Sequence, residues 1–292
     1  MAVGPVALTL YCEMARDGVL KKGMSVCEIG SLDVVASSYA GLITTLFNRM
    51  GSPAPSPAAV QALAQGASRE LMQKLGLSYA CIDTDGRHGA LVLDLNFDKA
   101  PPDYYGYFDL VANHGTTEHV FNQENSFRVI HDLTRVGGLM LHCVPFRGYA
   151  DHCFFGYHPD LFEALARANG YEILGMWVTF GDASAHLVPW SNSLFDHLSI
   201  KQNTNVLLSA LLRRRFDAAF QIPFQIAYET TNIDENAKRY RYVVNGDILD
   251  GRAIKRYAVG AATATSADIS TVRFLKTKAR RLLGRIKRGL LQ

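Results

Sequence analysis

Short apolar runs alternate with stretches of helical spacing along much of this chain, and that alternation limits the fold more than any other feature. The runs fall at residues 24–29, 78–83, 90–95, 108–112, 139–144 and 171–179. Helical patterns at 34–50, 58–75, 118–134 and 160–168 separate them, the last closed by Asn169-Gly170, a good helix stop. Parallel strands need such crossovers, and strands covered on both faces read as nearly continuous apolar runs. The pattern therefore predicts an α/β fold with a doubly wound, mostly parallel sheet, which residues 205–212 would close as a seventh strand. Gly137-Gly138 is expected to turn the chain into the fifth strand and Pro145 to stop it. The chain has 292 residues, 48% of them hydrophobic, enough to bury a large core without disulfides or metals.

Charge divides the chain unevenly. Eight Lys/Arg and no acid fall within residues 272–292, so the remainder of a chain whose net charge is +3 is acidic. In that tail Val272, Leu275, Ala279, Leu282, Leu283, Ile286 and Leu290 recur at helical spacing, which predicts a basic amphipathic helix. Such a helix suits an anionic membrane surface and, as a lesser alternative, nucleic acid; packing on the body or a solvated end would also produce it. The expected layout is a cap segment at 1–22, a main domain at 23–215 and a C-terminal extension at 216–292. Five cysteines without a C-x-x-C pair argue against a zinc site and a disulfide framework. Cys27, Cys81 and Cys143 sit inside the apolar runs and are expected in the core. The first residues lack the basic region of a signal peptide, and no apolar window reaches about 18 residues. A cytoplasmic protein is the expectation, with membrane association through the tail as an option.

Ligands of doubly wound sheets bind beyond the carboxyl ends of the strands. After the first strand come Glu28, Gly30 and Ser31, where a glycine allows close backbone approach and the next helix should offer its N-terminus. After the second is Asp83, suited to accept hydrogen bonds from a ribose diol; after the third are Asp94 and Leu95. After the fourth is the run Asn113-His114-Gly115-Thr116-Thr117-Glu118-His119.

Here a resemblance enters. Residues 108–120 (FDLVANHGTTEHV), followed by a helix and then residues 133–145 (LTRVGGLMLHCVP), are similar to a run in class I S-adenosylmethionine (SAM)-dependent methyltransferases. That run has an FD start to strand four, a Glu-His pair opening the next helix, and Gly-Gly before a strand closed by proline. The resemblance covers roughly residues 23–212. It implies the Rossmann-like methyltransferase fold and SAM as cofactor, with Cys27-Glu28-Ile29-Gly30 as the first motif, Asp83 as the ribose-binding acid and Asp94-Leu95 as the adenine-contacting pair. His114 would lie where methyl group and acceptor meet. The chain departs from the family in having one glycine in the first motif and a long gap from Gly30 to Asp83. That gap holds the Pro-rich segment 51–57, a lid or a plain surface loop.

The implied reaction is in-line attack on the methyl carbon of a sulfonium, with positioning supplying much of the rate. A hydroxyl acceptor, small-molecule or glycan-like, would need a general base, and histidine suits the task. His152, in the aromatic loop 148–159, and His114 are the candidates, with Asp151 able to orient His152. His142 reads as an interior histidine and His119 as a residue ordering the helix start. No metal-ligand constellation stands out in the sequence, which implies metal-independent transfer. Two other readings fit the sheet: a non-catalytic SAM-fold binding protein, and an NAD-dependent oxidoreductase. The second lacks the G-x-G-x-x-G fingerprint after its first strand.

Overall fold

The computed structural model describes residues 2–181, 184–196, 204–229 and 233–254. The basic tail at 272–292 lies outside the described residues. In chain order the elements are α1 (Pro5–Arg16), β1 (Ser25–Ile29), α2 (Ala40–Arg49), α3 (Pro57–Leu63), α4 (Ser68–Lys74), β2 (Ser78–Asp83), β3 (Leu91–Val92) and β4 (Phe108–His114). They continue with α5 (Gln123–Leu133), β5 (Thr134–Arg147), α6 (Pro159–Asn169), β6 (Glu172–Phe180), β7 (Val188–Pro189), β8 (Val206–Arg213), α7 (Asp234–Ala237), β9 (Arg241–Val244) and β10 (Asp247–Asp250).

One eight-stranded sheet runs in the order β3-β2-β1-β4-β5-β8-β6-β7. From β3 to β5 every pairing is parallel; β8 is antiparallel to both β5 and β6, and β7 is antiparallel to β6. This is the doubly wound, Rossmann-like arrangement the sequence predicts, with the short edge strand β7 added to the expected seven. Helices cover both faces. One core collects α1–α4 residues such as Leu8, Tyr11, Ile43, Leu46 and Leu71 against one side of the sheet. The other collects α5 and α6 residues such as Phe127, Ile130 and Phe162. Cys27, Cys81 and Cys143 are buried in their strands as expected.

Local chemistry explains most boundaries. The Ser56 side chain caps α3, with Pro57 in the first turn, and Asn122 caps α5. Gly170 ends α6 in the left-handed region at φ 64°. The fifth strand departs from expectation at both ends. Gly137-Gly138 lies inside β5, where the register with β4 shifts between Phe108 and Leu110. A Cβ on Gly138 would sit 2.8 Å from the Arg135 carbonyl oxygen and 3.0 Å from that of Phe108, so the pair makes an irregularity within the strand rather than a turn. Pro145 does not stop the strand. Pairing with β4 has already ended at Cys143, and the register with β8 shifts between Val206 and Leu207, opposite the proline. A missing N–H is tolerated at such a place.

The first 22 residues are more than a cap segment. Helix α1 is buried on most sides and packs against α2, and Ala2–Val3 pairs in parallel with Asp33–Val34. The long gap before β2 is also resolved. The chain makes three helical passes, α2, α3 and α4, where the sequence suggests one helix at 34–50 and another at 58–75. Its Pro-rich segment begins at Gly51, whose carbonyl accepts from Lys22 Nζ at 2.9 Å. Lys22 precedes β1, so this segment starts at the amino end of the sheet, away from the crevice. It is a surface connection between α2 and α3, and a lid would have to stand at the other end.

Candidate functional site

The strand order reverses between β1 and β4, and the crevice opens beyond their carboxyl ends. Register places its residues there: Ile29 lies opposite both Ile82 and Asn113, and Asp83 opposite Val92. Gly30 takes φ 110°, and a Cβ on it would fall 2.7 Å from Thr116 Oγ1 and 2.8 Å from Leu32 Cδ2. Thr116 reaches across from the segment after β4 and donates a short hydrogen bond to the Ile29 carbonyl. Only glycine fits this conformation and this approach.

The expected helix N-terminus does not follow Gly30. Ser31 leads instead into the Asp33–Val34 strand, and α2 begins at Ala40. The charge near the loop is organised by side chains. Ser31 donates its N–H to Asp83 Oδ2 at 2.8 Å and its hydroxyl to Asp83 or Asp85. Burial alone would raise the pKa of Asp83, but hydrogen bonds from Ser31 and the Thr84 N–H hold it below the usual carboxylate value. Asp33 pairs with Arg87 at 2.9 Å and His88 at 2.8 Å, tying the loop after β1 to the loop after β2.

Glu28 and His114 are buried near the carboxyl ends of β1 and β4. Glu28 is fully buried, accepting from Ser68 Oγ at 2.9 Å and Tyr79 OH at 2.8 Å. Burial pushes its pKa up to about 7 despite these bonds. His114 Nε2 meets the Tyr11 hydroxyl of α1 at 2.7 Å, and its Nδ1 is buried with no partner. Burial lowers the His114 pKa to about 3, so the ring is neutral. These two predicted contacts thus lie in a buried polar network beneath the strand ends, with Tyr11 as a member that sequence reasoning missed.

Asp94 and Leu95 are drawn to the same end of the sheet but not into contact with that network. Asp94 Oδ1 accepts from the Asn96 N–H at 2.8 Å, and Leu95 is buried. Asn96 then accepts from the Phe121 and Asn122 N–H groups, both at 3.1 Å, which links the loop after β3 to the segment after β4. Strand β3 is shorter than expected because the chain turns at Asp94.

A second cluster stands beside the first. Glu118 and His119 occupy the short turn Thr117–His119, and α5 begins only at Gln123, so Glu118 is not the first-turn acid the sequence suggests. The Glu118 carbonyl accepts from the Phe154 N–H at 3.0 Å and the Phe155 N–H at 3.2 Å. Tyr157 OH donates to Thr117 Oγ1 or Gln123 Oε1, 3.0 and 2.7 Å away. These bonds dock the aromatic loop onto the end of β4 and set the His152 ring against His119, centroids 4.9 Å apart. His152 is exposed, whereas Glu118 is 1% exposed. One donor atom from each of Glu118, His119 and His152 lies within 4.8 Å of the others. The sequence shows no metal-ligand constellation because the third donor comes from a distant loop, which no local spacing reveals. Phe97, Phe121 and Phe154 are 83%, 78% and 73% exposed beyond β3, β4 and β5, forming an apolar rim. His142 points into the α5/α6 core, its ring 5.0 Å from Phe162, as an interior histidine.

No protein-family profile matches the chain, and no curated protein matches it. Solved structures are similar to it at a distance. A Galdieria sulphuraria protein assigned as a sarcosine dimethylglycine methyltransferase is 12% identical with a TM-score of 0.41, over 71% of this chain and 85% of that one. The Haemonchus contortus phosphoethanolamine N-methyltransferase 2, complexed with S-adenosylhomocysteine, is 11% identical with a TM-score of 0.39, over 71% and 52%. The [4+2]-cyclase SpnF is 12% identical with a TM-score of 0.36, over 71% and 80%. Such distant likenesses leave the function to be argued from the site itself.

Proposed function

We propose that the protein is a class I SAM-dependent methyltransferase acting on a small-molecule or glycan-like hydroxyl. The observation that carries this reading is the junction of Gly30 with Thr116 across the switch between β1 and β4, with the Asp83 carboxylate held beside it at Ser31. A ligand there meets backbone at Gly30, a charged acceptor for a ribose diol at Asp83, and a second acid, Asp94, one strand further on. SAM would supply an electrophilic methyl carbon. Gly30 and Asp83 would hold the cofactor, and passage of the methyl group to the acceptor oxygen would leave sulfur with the electron pair as a neutral thioether. Buried His114, neutral and bonded to Tyr11, belongs to the cofactor side. Exposed His152, near the apolar rim, is the histidine assigned to the acceptor's proton.

Titration calorimetry with SAM, S-adenosylhomocysteine and NAD tests the cofactor. SAM and its product should bind, and Asp83→Asn should weaken both by about 10-fold or more, the loss of a charge-assisted hydrogen bond being worth about 1.5–3 kcal/mol. Binding of NAD alone would reject the reading. Binding of SAM without transfer to any hydroxyl acceptor would favour a non-catalytic binding protein.

Among the described residues no helix is long and apolar enough to cross a membrane. The basic stripe at 272–292 is the element proposed to hold the protein at an anionic surface, each Lys or Arg near the leaflet contributing about 1 kcal/mol. Co-sedimentation with phosphatidylserine vesicles should fall at least about 10-fold when residues 272–292 are removed. Equal pelleting of both forms would eliminate the membrane role.

A further inference from the structure

Glu118 poses a problem that methyl transfer alone does not solve. Its side chain is as buried as any core residue, yet Oε2 has no hydrogen-bond partner, and a buried polar atom left unpaired costs about 1–3 kcal/mol, more when charged. Gly115 closes in on the other oxygen, since a Cβ there would sit 3.2 Å from Oε1. The carboxylate thus lies beside two imidazoles, with its own N–H as a hydrogen-bond donor and Oε2 left unpaired.

The surroundings are built rather than incidental. The Glu118 carbonyl accepts from two consecutive N–H groups of the opposite loop, and Tyr157 fastens that loop a second time through its hydroxyl. Tyr149 adopts φ 59°, a left-handed conformation that costs a residue with a side chain, and its N–H is held by Asn205 Oδ1 at 3.0 Å. The following turn carries His152, whose N–H bonds to the Tyr149 carbonyl at 3.1 Å. Backbone bonds therefore fix where His152 starts, while its exposed ring keeps the freedom to close on a ligand.

We propose that Glu118, His119 and His152 form a divalent transition-metal site. Two imidazoles and one carboxylate are the donor set of catalytic zinc sites that keep a position open for water or substrate, and they equally suit Mn²⁺, Fe²⁺ or Co²⁺. An ion about 2.1 Å from each donor needs donor separations below about 4.2 Å. The donors lie within 4.8 Å of one another, so the separations need to close by well under about 1 Å, and the exposed His152 ring is free to move. Bound metal would give Oε2 its missing partner. It would also acidify a hydroxyl at the open position, so that His152, once a ligand, would act on the acceptor's proton through the ion and not as the base itself. That last consequence rests on the methyl-transfer reading; the site itself does not.

The test uses the full chain, stripped with a chelator and titrated with Co²⁺, followed by its visible absorption and by displacement with Zn²⁺. One equivalent should bind with a saturable band. His152→Ala, at an exposed position, and Glu118→Gln, close in shape, should each weaken binding by more than about 10-fold, since even outer-shell changes at metal sites cost about 10–100-fold. His186→Ala, at another exposed histidine, should bind like the wild type. Melting curves confirm that the variants are folded. No saturable band in the wild type, or unchanged affinity in both His152→Ala and Glu118→Gln, would overturn the proposal. SAM calorimetry is a separate readout, so either idea can fail without the other.

Discussion

Gly30→Ala is expected to lower the melting temperature sharply and to slow methyl transfer by about 100-fold. Two costs add. A residue with a side chain is strained at φ 110°, by about 1–3 kcal/mol. The new methyl group would also press on Thr116 Oγ1 at 2.7 Å and Leu32 Cδ2 at 2.8 Å, and overpacking of this kind costs about 1–3 kcal/mol more. Thr116 cannot simply rotate away without giving up its bond to the Ile29 carbonyl. The loop must move instead, and a displacement near 1 Å beside a reacting centre costs about 100-fold in rate. Thermal melts and single-turnover assays measure the two effects separately. A Gly30→Ala protein with wild-type melting and turnover would show that the close approach to β4 has no role in either.

Glu28→Gln is expected to change how stability responds to pH. The Glu28 carboxyl titrates at about 7 in the folded chain because burial disfavours its charge, while the unfolded chain titrates near the ordinary value of 4.5. Between those values the native state holds a proton that the unfolded state has released. This contribution is fully present below about pH 4.5, declines as pH rises, and is gone above about pH 7. From pH 5 to pH 8 the wild type should lose about 2–3 kcal/mol through this group, at about 1.4 kcal/mol per unit. Glutamine does not titrate. The stability difference between variant and wild type should therefore shift toward the variant by that amount over the same interval. Urea unfolding at pH 5, 6, 7 and 8 gives the comparison, and a difference independent of pH would mean that Glu28 is charged throughout.

Residues that act through local pattern were legible in the sequence. Strand β2 spans the expected residues, β1 starts one residue late, and β6 and β8 are each shifted by one residue, because each is an apolar run bounded by breakers. Ser31 and Asp83 meet because adjacent parallel strands deliver consecutive loops to one edge, which topology alone requires. What stayed hidden depends on contacts far apart in the chain. Helix α1 is buried on most of its surface, so it offers no clean amphipathic stripe to read, and its Tyr11 finds His114 only after the sheet has formed. His152 reaches Glu118 and His119 through backbone bonds between two loops, which spacing does not encode. Strand β3 is short because Asp94 bonds its own backbone neighbourhood, a choice an apolar run does not announce.

The three helical passes between β1 and β2 bear on how quickly the chain can reach its native state. Those two strands are nearest neighbours in the sheet, yet the polypeptide must close the whole α2–α4 excursion before their ladder can form. Lengthening a loop adds little to the equilibrium cost, only about 0.6 kcal/mol per doubling. Its effect falls on rate, since distant pairings are formed late and slowly. Short-range partners come first, among them the hairpin of β9 and β10 and the packing of α2 on α3. The junction of β1 with β4 pairs residues farther apart still, so the same argument expects it among the last parts of the molecule to assemble.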